Sequence, residues 1–482
     1  MITEVLTPCP LSKYGEGERN KRMVQAFCLW RKPDHIFVGT IHEFVGTIHE
    51  LPLREYRGVQ KMKKYIFVPA VIVVLFSCLC AFAEFQAGIA FRNVTPDPLL
   101  PISGGVGPSE PVETKIGELT VRALVLKDDN TTVAIVGMDF LGFPAVLGNR
   151  VRAMVKDIPP ENILIGATHT HSAPDCYGFA DEKGNCGADV NYLERVCKET
   201  AGAIEDALSR MQPVSIKIAT GEAKGKIAYN YYAEQLYDPR CNVLQCLRED
   251  GTPVATLVNY AIHPEVLGPD RKILSPDLVG PLYDRIAEKG GGIGIFMNSA
   301  QGGMVTADCR GANGKDVQTW EECVRIGNLL ADESLRIVAD APVQKDPDLF
   351  CAATQIVFPI DSPMMRAIVR NSPLAYELGR EATVSTQVTV INLGNAQMLT
   401  IPGEALPNIG YYLKRKMHGE SNFLLGLTND AFGYILTKVD FNSFKRYEYI
   451  SRTSLGEMTG EIYIAKALAF VDSCPVPAAI KQ

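Results

Sequence analysis

Two of the seven histidines in this 482-residue chain stand one residue apart, in the stretch A-T-H-T-H-S-A-P-D at 167–175. On an extended backbone, residues i and i+2 point to the same side, so His169 and His171 would both face one ion or one substrate. A third imidazole, His263, follows another apolar run in N-Y-A-I-H-P-E, and a carboxylate, Glu404, follows a third in P-G-E. Imidazole nitrogens and a carboxylate oxygen are the donors that borderline divalent metals such as zinc accept. Three protein ligands with an open fourth position is the usual arrangement of a catalytic zinc. Each residue also has a structural reading. H-x-H alone is a common polar strand end, His263 alone a satisfied buried histidine. Glu404 alone is a first-turn carboxylate favoured by the helix dipole. The glycine-rich loop N-S-A-Q-G-G-M-V-T at 298–306 serves either as a tight turn or as a set of N–H groups for an oxyanion.

These residues share a position. Short apolar runs at 132–138, 162–167, 254–262, 294–297, 397–401 and 423–427 end in Asp139, His169/His171, His263, the 298–306 loop, Glu404 and Thr428-Asn429-Asp430. Continuous apolar runs of this length suit strands covered on both faces. Between them, spacing predicts helices over 146–155, 189–211, 320–338 and 404–417. The alternation implies an α/β layered sandwich: a central mostly parallel or mixed sheet, helices on both faces, and an active site at the strand C-terminal ends. Three of the four histidines after residue 83 fall at such ends. The fourth, His418, sits where a helix should finish and reads as structural.

Charged residues are 21% and hydrophobic residues 46%, a globular balance. The formal net charge of −7 argues against a nucleic-acid partner. The first 83 residues read differently from the rest. FVGTIHE occurs twice in succession at 37–50, and 1–61 has the look of a non-structural upstream extension. Met62 then opens a basic n-region (Lys63, Lys64), an apolar stretch to Cys80 and A-F-A at 81–83, the pattern of a signal peptide. A second reading is an uncleaved anchor. The expected organisation is therefore an extension at 1–61, a signal peptide or anchor at 62–83 and one domain at 84–482, secreted or periplasmic. Nine cysteines fall in that domain, with Cys176 and Cys186 one candidate pair.

Taken in order, I-L-I-G-A-T-H-T-H-S-A-P, A-I-H-P, P-G-E, and G-Y-I-L-T with K-R-Y-E-Y resemble the neutral/alkaline non-lysosomal ceramidase family, over roughly 88–470. The resemblance implies a zinc-dependent amidase that cleaves the acyl amide of ceramide or another N-acyl compound, through a zinc-polarised carbonyl or zinc-bound water. It implies His169, His263, Glu404 and Tyr434 as zinc ligands, His171 as a proton-handling neighbour, and Tyr447 as a second active-site tyrosine. A lipid amide would bring peripheral contact with a membrane.

The chain departs from the family at two motifs. Where the family has G-D-x-S-P-N with a catalytic serine, the chain has Q-G-G-M-V-T-A-D: Val305 is nearest that serine, with Thr306 one residue on as the candidate hydroxyl. The family's active-site arginine matches the Asn230-Tyr231-Tyr232 segment, which has none. No room is expected for the family's C-terminal β-sandwich. Two competing readings follow. A metallo-β-lactamase-like H-x-H-x-D-H site has the wrong spacing, because Asp175 is six residues past His169. A secreted binding protein that kept the zinc site and lost the reaction is favoured by Val305 and the missing arginine.

Overall fold

The computed structural model describes residues 84–480 apart from 108 and 180–185, together with two three-residue strands, Trp30–Lys32 and His35–Phe37, that pair antiparallel. The rest of 1–61 and all of 62–83, where the extension and signal peptide are expected, lie outside the described residues. No helix among the described residues is long and apolar enough to cross a membrane.

The domain is built from one pattern used three times. The first unit runs β1 (Gln86–Asn93), β2 (Thr120–Lys127), β3 (Thr132–Met138), α1 (Ala145–Met154), β4 (Ile163–Ala167) and α2 (Val190–Ser209). The second runs β5 (Ser215–Glu222), β6 (Arg240–Leu247), β7 (Pro253–Tyr260), α3 (Val279–Glu288), β8 (Ile293–Asn298) and α4 (Trp320–Ala339). The third runs β9 (Leu349–Pro359), α5 (Pro363–Asn371), β10 (Thr383–Leu393), β11 (Ala396–Thr400), α6 (Pro407–Lys416), β12 (Ser421–Leu425) and α7 (Thr459–Ser473). In each unit the first three strands pair antiparallel in sequence order, and the fourth returns through a helix to lie parallel to the third. Parallel neighbours need such a crossover, whereas the second and third strands of each unit, antiparallel to one another, close with a short turn.

The α/β architecture and mixed pairing expected from the sequence are present, but the single sheet is resolved into three. Alternate residues along each strand explain the arrangement. Val133 and Ile135 of β3 join Leu257 and Ile295 of the second sheet and Met398 and Phe423 of the third in one central core. Ala134 and Val136 instead meet Leu147 and Val151 of α1 and Val196 and Ile204 of α2. The other two sheets likewise turn their outer faces to α3/α4 and to α6/α7. Helices thus cover one face of each sheet, and the other sheets cover the second. The inner strands, such as β3, β4, β7, β8, β11 and β12, are buried on both faces, which is why they read as unbroken apolar runs.

Cys176 and Cys186 do not form the expected bridge, and all nine cysteines of the domain are free. Cys176 is buried with its thiol on the Gly142 carbonyl at 2.6 Å, while the Cys186 sulfur lies near Ala188 O of its own loop.

Candidate metal centre

Three loops, one from each unit, bring the predicted residues together. The loop after β4 supplies His169 and His171, the loop after β7 His263, and the loop after β11 Glu404. The H-x-H backbone is not extended, as expected, but turned: His169 has φ of 74°. Its N–H donates to Phe140 O at 2.9 Å and that of His171 to Pro264 O at 3.1 Å, which hold the turn between two units. The rings still converge. His169 and His171 have centroids 4.8 Å apart, His169 and His263 4.7 Å, and His171 and His263 5.6 Å.

Glu404 is not in the first turn of a helix. Pro407 occupies the N1 position of α6, and a residue before proline is pushed out of the helical region, so Leu406 becomes the N-cap. Glu404 and Ala405 instead pair in parallel with Tyr434 and Ile435. A Cβ on Gly302 would stand 2.2 Å from Glu404 O, so glycine there is a requirement of close approach. The Gly302 N–H donates to Ala405 O and that of Gln301 to Ser299 O. Those two groups of the glycine-rich loop hold the Glu404 segment and the turn, and are not free for an oxyanion.

The protonation of the rings can be read from their partners. His169 Nδ1 lies 2.5 Å from Leu141 O and His263 Nδ1 2.8 Å from Val305 O. A carbonyl oxygen only accepts, so both Nδ1 atoms carry a proton, and in the neutral rings that bind a metal both Nε2 atoms carry a lone pair. Those lone pairs meet the same carboxylate oxygen: Glu404 Oε2 is 3.4 Å from His169 Nε2 and 3.2 Å from His263 Nε2. His263 Nε2 and Glu404 Oε2 are buried without a hydrogen-bond partner. Converging lone pairs in a buried site repel unless a cation lies among them. Ligands about 2.0–2.1 Å from a tetrahedral zinc are about 3.3–3.4 Å from one another, which these separations match. Carbonyl acceptors on the distal nitrogens are the usual supports of metal-bound histidine. His169, His171 and His263 also offer ligand atoms within 4.8 Å of one another. The residues present therefore fit a metal ion.

Without such an ion the charges lean on each other. Burial would raise the Glu404 pKa, but His169 and His263 hold it well below the usual carboxylate range. Burial would lower that of His263, and Glu404 and Glu265 reverse the shift. Burial takes His171 down to about 4, so its ring is neutral at pH 7. Its Nδ1 lies 3.6 Å from Glu265 Oε2, and its Nε2 is buried and unpartnered.

The remaining predicted residues separate. Tyr434 lies beside Glu404 with its hydroxyl on Met304 Sδ at 3.2 Å. Tyr447 packs against Phe444 and Tyr232 at 5.2 and 5.4 Å, away from the histidines. Val305 is buried in the core of the second unit and contributes its carbonyl, not its side chain. Thr306 pairs with His263 through the backbone, and its side chain bonds Glu265. Asp139 is engaged by Thr120 N and Oγ1 at 2.8 and 2.7 Å, and is a structural buried acid. His418 bonds Asp472 at 3.0 Å, as a structural residue would.

Sequence reasoning passed over Glu265 and Asn298 as site residues. Asn298 Nδ2 donates to Thr168 O and Ile262 O at 3.0 and 2.7 Å, pinning both histidine loops. Its place in a loop just past an apolar run was the available signal. The site opens into a cleft lined by His169, His171, Glu404 and Tyr434. Its walls are apolar, among them Leu141, Phe179, Met365, Val369, Phe432 and Leu455.

No protein-family model matches the chain, and no curated protein matches it. Among solved structures it is similar to the crystal structure of neutral ceramidase from Pseudomonas aeruginosa, with a TM-score of 0.63, 15% identity, and coverage of 83% of this chain and 76% of that one. It is similar also to a ceramidase complexed with C2, with a TM-score of 0.64, 15% identity, and coverage of 83% and 77%. The shared property at that identity is the fold.

Proposed function

We propose that the protein is a metal-dependent hydrolase of an acyl amide, with zinc as the ion and a compound carrying one long N-acyl chain as substrate. The observation that carries this reading is the set of unshielded lone pairs on His169, His263 and Glu404 at the floor of an apolar cleft. Tyr434, on the strand beside Glu404, is the fourth group toward the ion. The ion supplies positive charge that polarises the acyl carbonyl. The chain supplies the rest. Apolar walls take the acyl chain and exclude water from all but its carbonyl end. His171, with Nδ1 toward Glu265, has Nε2 free to accept a proton from water and pass it to the departing amine. Water adds its hydroxyl to the acyl carbon, the C–N bond breaks, and the amine leaves with the proton. Water is the nucleophile in this reading because Val305 is buried in the core and the Thr306 side chain bonds Glu265 and lines a different cleft from His169 and His171.

The test is elemental analysis of purified protein followed by turnover of N-acyl amides of graded chain length. One zinc per chain with release of fatty acid supports the proposal. Metal without turnover of any amide or ester supports the second reading, a binding protein, which the buried Val305 favours. Absence of metal after purification with zinc present ends both. We also propose export through 62–83, which predicts that native protein starts near Glu84; mass spectrometry finding 1–61 would refute it.

A further inference from the structure

Glu265, which faces His171, lines a second cleft that the acyl chain does not need. Its lining is mixed and more polar than that of the first cleft: Met304, Ala307 and Cys309 stand beside Tyr229, Tyr231, Glu265, Thr306, Asp316 and Gln318. Two contacts separate it from the apolar cleft. His171, on the apolar side, faces Glu265 at 3.6 Å, and Tyr434, on the apolar side, touches Met304 at 3.2 Å. Met304 also lines the polar cleft and is held at φ of 69°, a conformation that non-glycine residues rarely adopt. Strain of that kind persists where the surroundings enforce it. Here Met304 O accepts from Tyr231 N at 2.8 Å, so the separating residue is tied to the polar wall.

Charge distinguishes the two clefts further. Arg310 stacks over the Tyr229 ring at 3.8 Å, but its guanidinium is engaged by Asp308 at 2.8 Å and Glu234 at 3.0 Å. Glu265 and Asp316 are left to set the sign of the polar cleft, beside hydroxyl groups and the Tyr231 ring, which also favours a cation. An amide has two halves, and the bond to be broken lies between them. We infer, on the hydrolase reading above, that the acyl half occupies the apolar cleft while the polar cleft takes an amine half bearing an ammonium or hydroxyl group, and not a second long alkyl chain. The substrate class is then an N-acylated polar amine, and Glu265, Asp316 and Tyr231 select it.

The experiment uses hydrolysis-resistant ketones in which a methylene replaces the amide nitrogen, so binding is read without turnover. All carry one long acyl chain. Their other ends are aminoethyl, hydroxyethyl, butyl or dodecyl. Calorimetry on zinc-loaded protein should rank aminoethyl over hydroxyethyl over butyl, about tenfold between first and third. Asp316→Asn, at the open rim, should weaken the aminoethyl compound about threefold and leave the butyl compound unchanged. Equal or tighter binding of the dodecyl compound, or no effect of Asp316→Asn on the ranking, overturns the inference. Failure of the hydrolase reading shows separately, as the same ranking of ketones with no cleavage of the matching amides.

Discussion

The loop after β4 and the loop after β12 occupy the same place in their units and lie against each other. Gly166 bridges Thr428, Ala167 N donates to Leu427 O at 3.2 Å, and Asn429 N donates to Ile165 O at 2.8 Å. Each carries a residue in the left-handed region, His169 at 74° and Asn429 at 72°. Asparagine tolerates that region well and histidine less so. Their polar atoms differ more. Asn429 Oδ1 accepts from Arg152 Nη2 at 2.8 Å, and its Nδ2 donates to Thr389 at 3.1 Å. Asp430 accepts from Ala145 N and Ala431 N. The β12 loop spends its side chains on the fold. The β4 loop leaves His171 Nε2 unpartnered and aims the His169 Nε2 lone pair at a carboxylate. Equivalent backbone thus carries structure in one unit and chemistry in another, and partner satisfaction tells them apart.

Substitution in the two loops should break the protein in different ways. His169→Ala or His263→Ala should reduce bound metal to less than about 0.1 per chain and activity by about 10³-fold or more, while the purified protein stays folded. Asn429→Ala should do the reverse. Loss of its oxygen leaves the buried Arg152 guanidinium short of an acceptor, at a cost of about 2–4 kcal/mol in denaturant unfolding, with metal content retained in folded protein. If Asn429→Ala lost metal and His169→Ala lost stability, the division between the loops would be wrong.

Metal removal sharpens the same contrast. An ion that binds only the folded chain, at about 1,000 times its dissociation constant, stabilises by about 4 kcal/mol. A chelator should therefore lower the melting temperature of the wild type and of Asn429→Ala by similar amounts. The His263→Ala protein should not respond.

Acid probes the structural loop. Burial pushes the Asp430 carboxyl up to about 6, against about 3.9 in an unfolded chain. The folded state then binds the proton more tightly than the unfolded one. The stability that this proton contributes is present below pH of about 4 and is lost as pH rises through about 6. Asp430→Asn can keep the acceptor for Ala145 N and has no proton to lose. It should exceed the wild type in stability at pH 7 relative to pH 4 by about 2 kcal/mol, measured by denaturant unfolding at both values. A parallel pH dependence in the two proteins would show that Asp430 stays charged in its buried place.

The positions of His169, His263 and Glu404 were legible because each ends an apolar run, and runs covered on both faces become strands whose ends converge. The three-fold repetition was not legible. It depends on which strands pair parallel, and an apolar run carries no direction. Nor did the sequence show that Glu404 precedes α6, although Pro407 was the cue. Glu265 reads in sequence as an ordinary polar residue after His-Pro. Only the fold sets it against His171, 94 positions earlier in the chain. Thr306 shows the opposite failure: its neighbour Val305 does reach the site, but through a carbonyl that any residue would supply.

The two tyrosines predicted from sequence make the finest version of the comparison. Both are buried, and both belong to one apolar cluster with Leu406, Leu436 and Ile450. They differ in what the hydroxyl faces. Burial together with the Glu404 carboxylate raises the Tyr434 pKa well above its usual value, so its hydroxyl keeps its proton unless a cation offsets that charge. Tyr447 is raised by burial and Asp440, and faces no member of the histidine group. Tyr434→Phe should lower kcat about tenfold and weaken metal retention against a chelator, with stability changed by less than about 1 kcal/mol. Tyr447→Phe should stay within about twofold of wild type in both kcat and metal retention. Equal losses in the two variants would mean that the aromatic cluster acts on the site as a unit through Leu406, the residue that leads into α6. Loss in Tyr434→Phe alone places the distinction in a single hydroxyl beside Glu404.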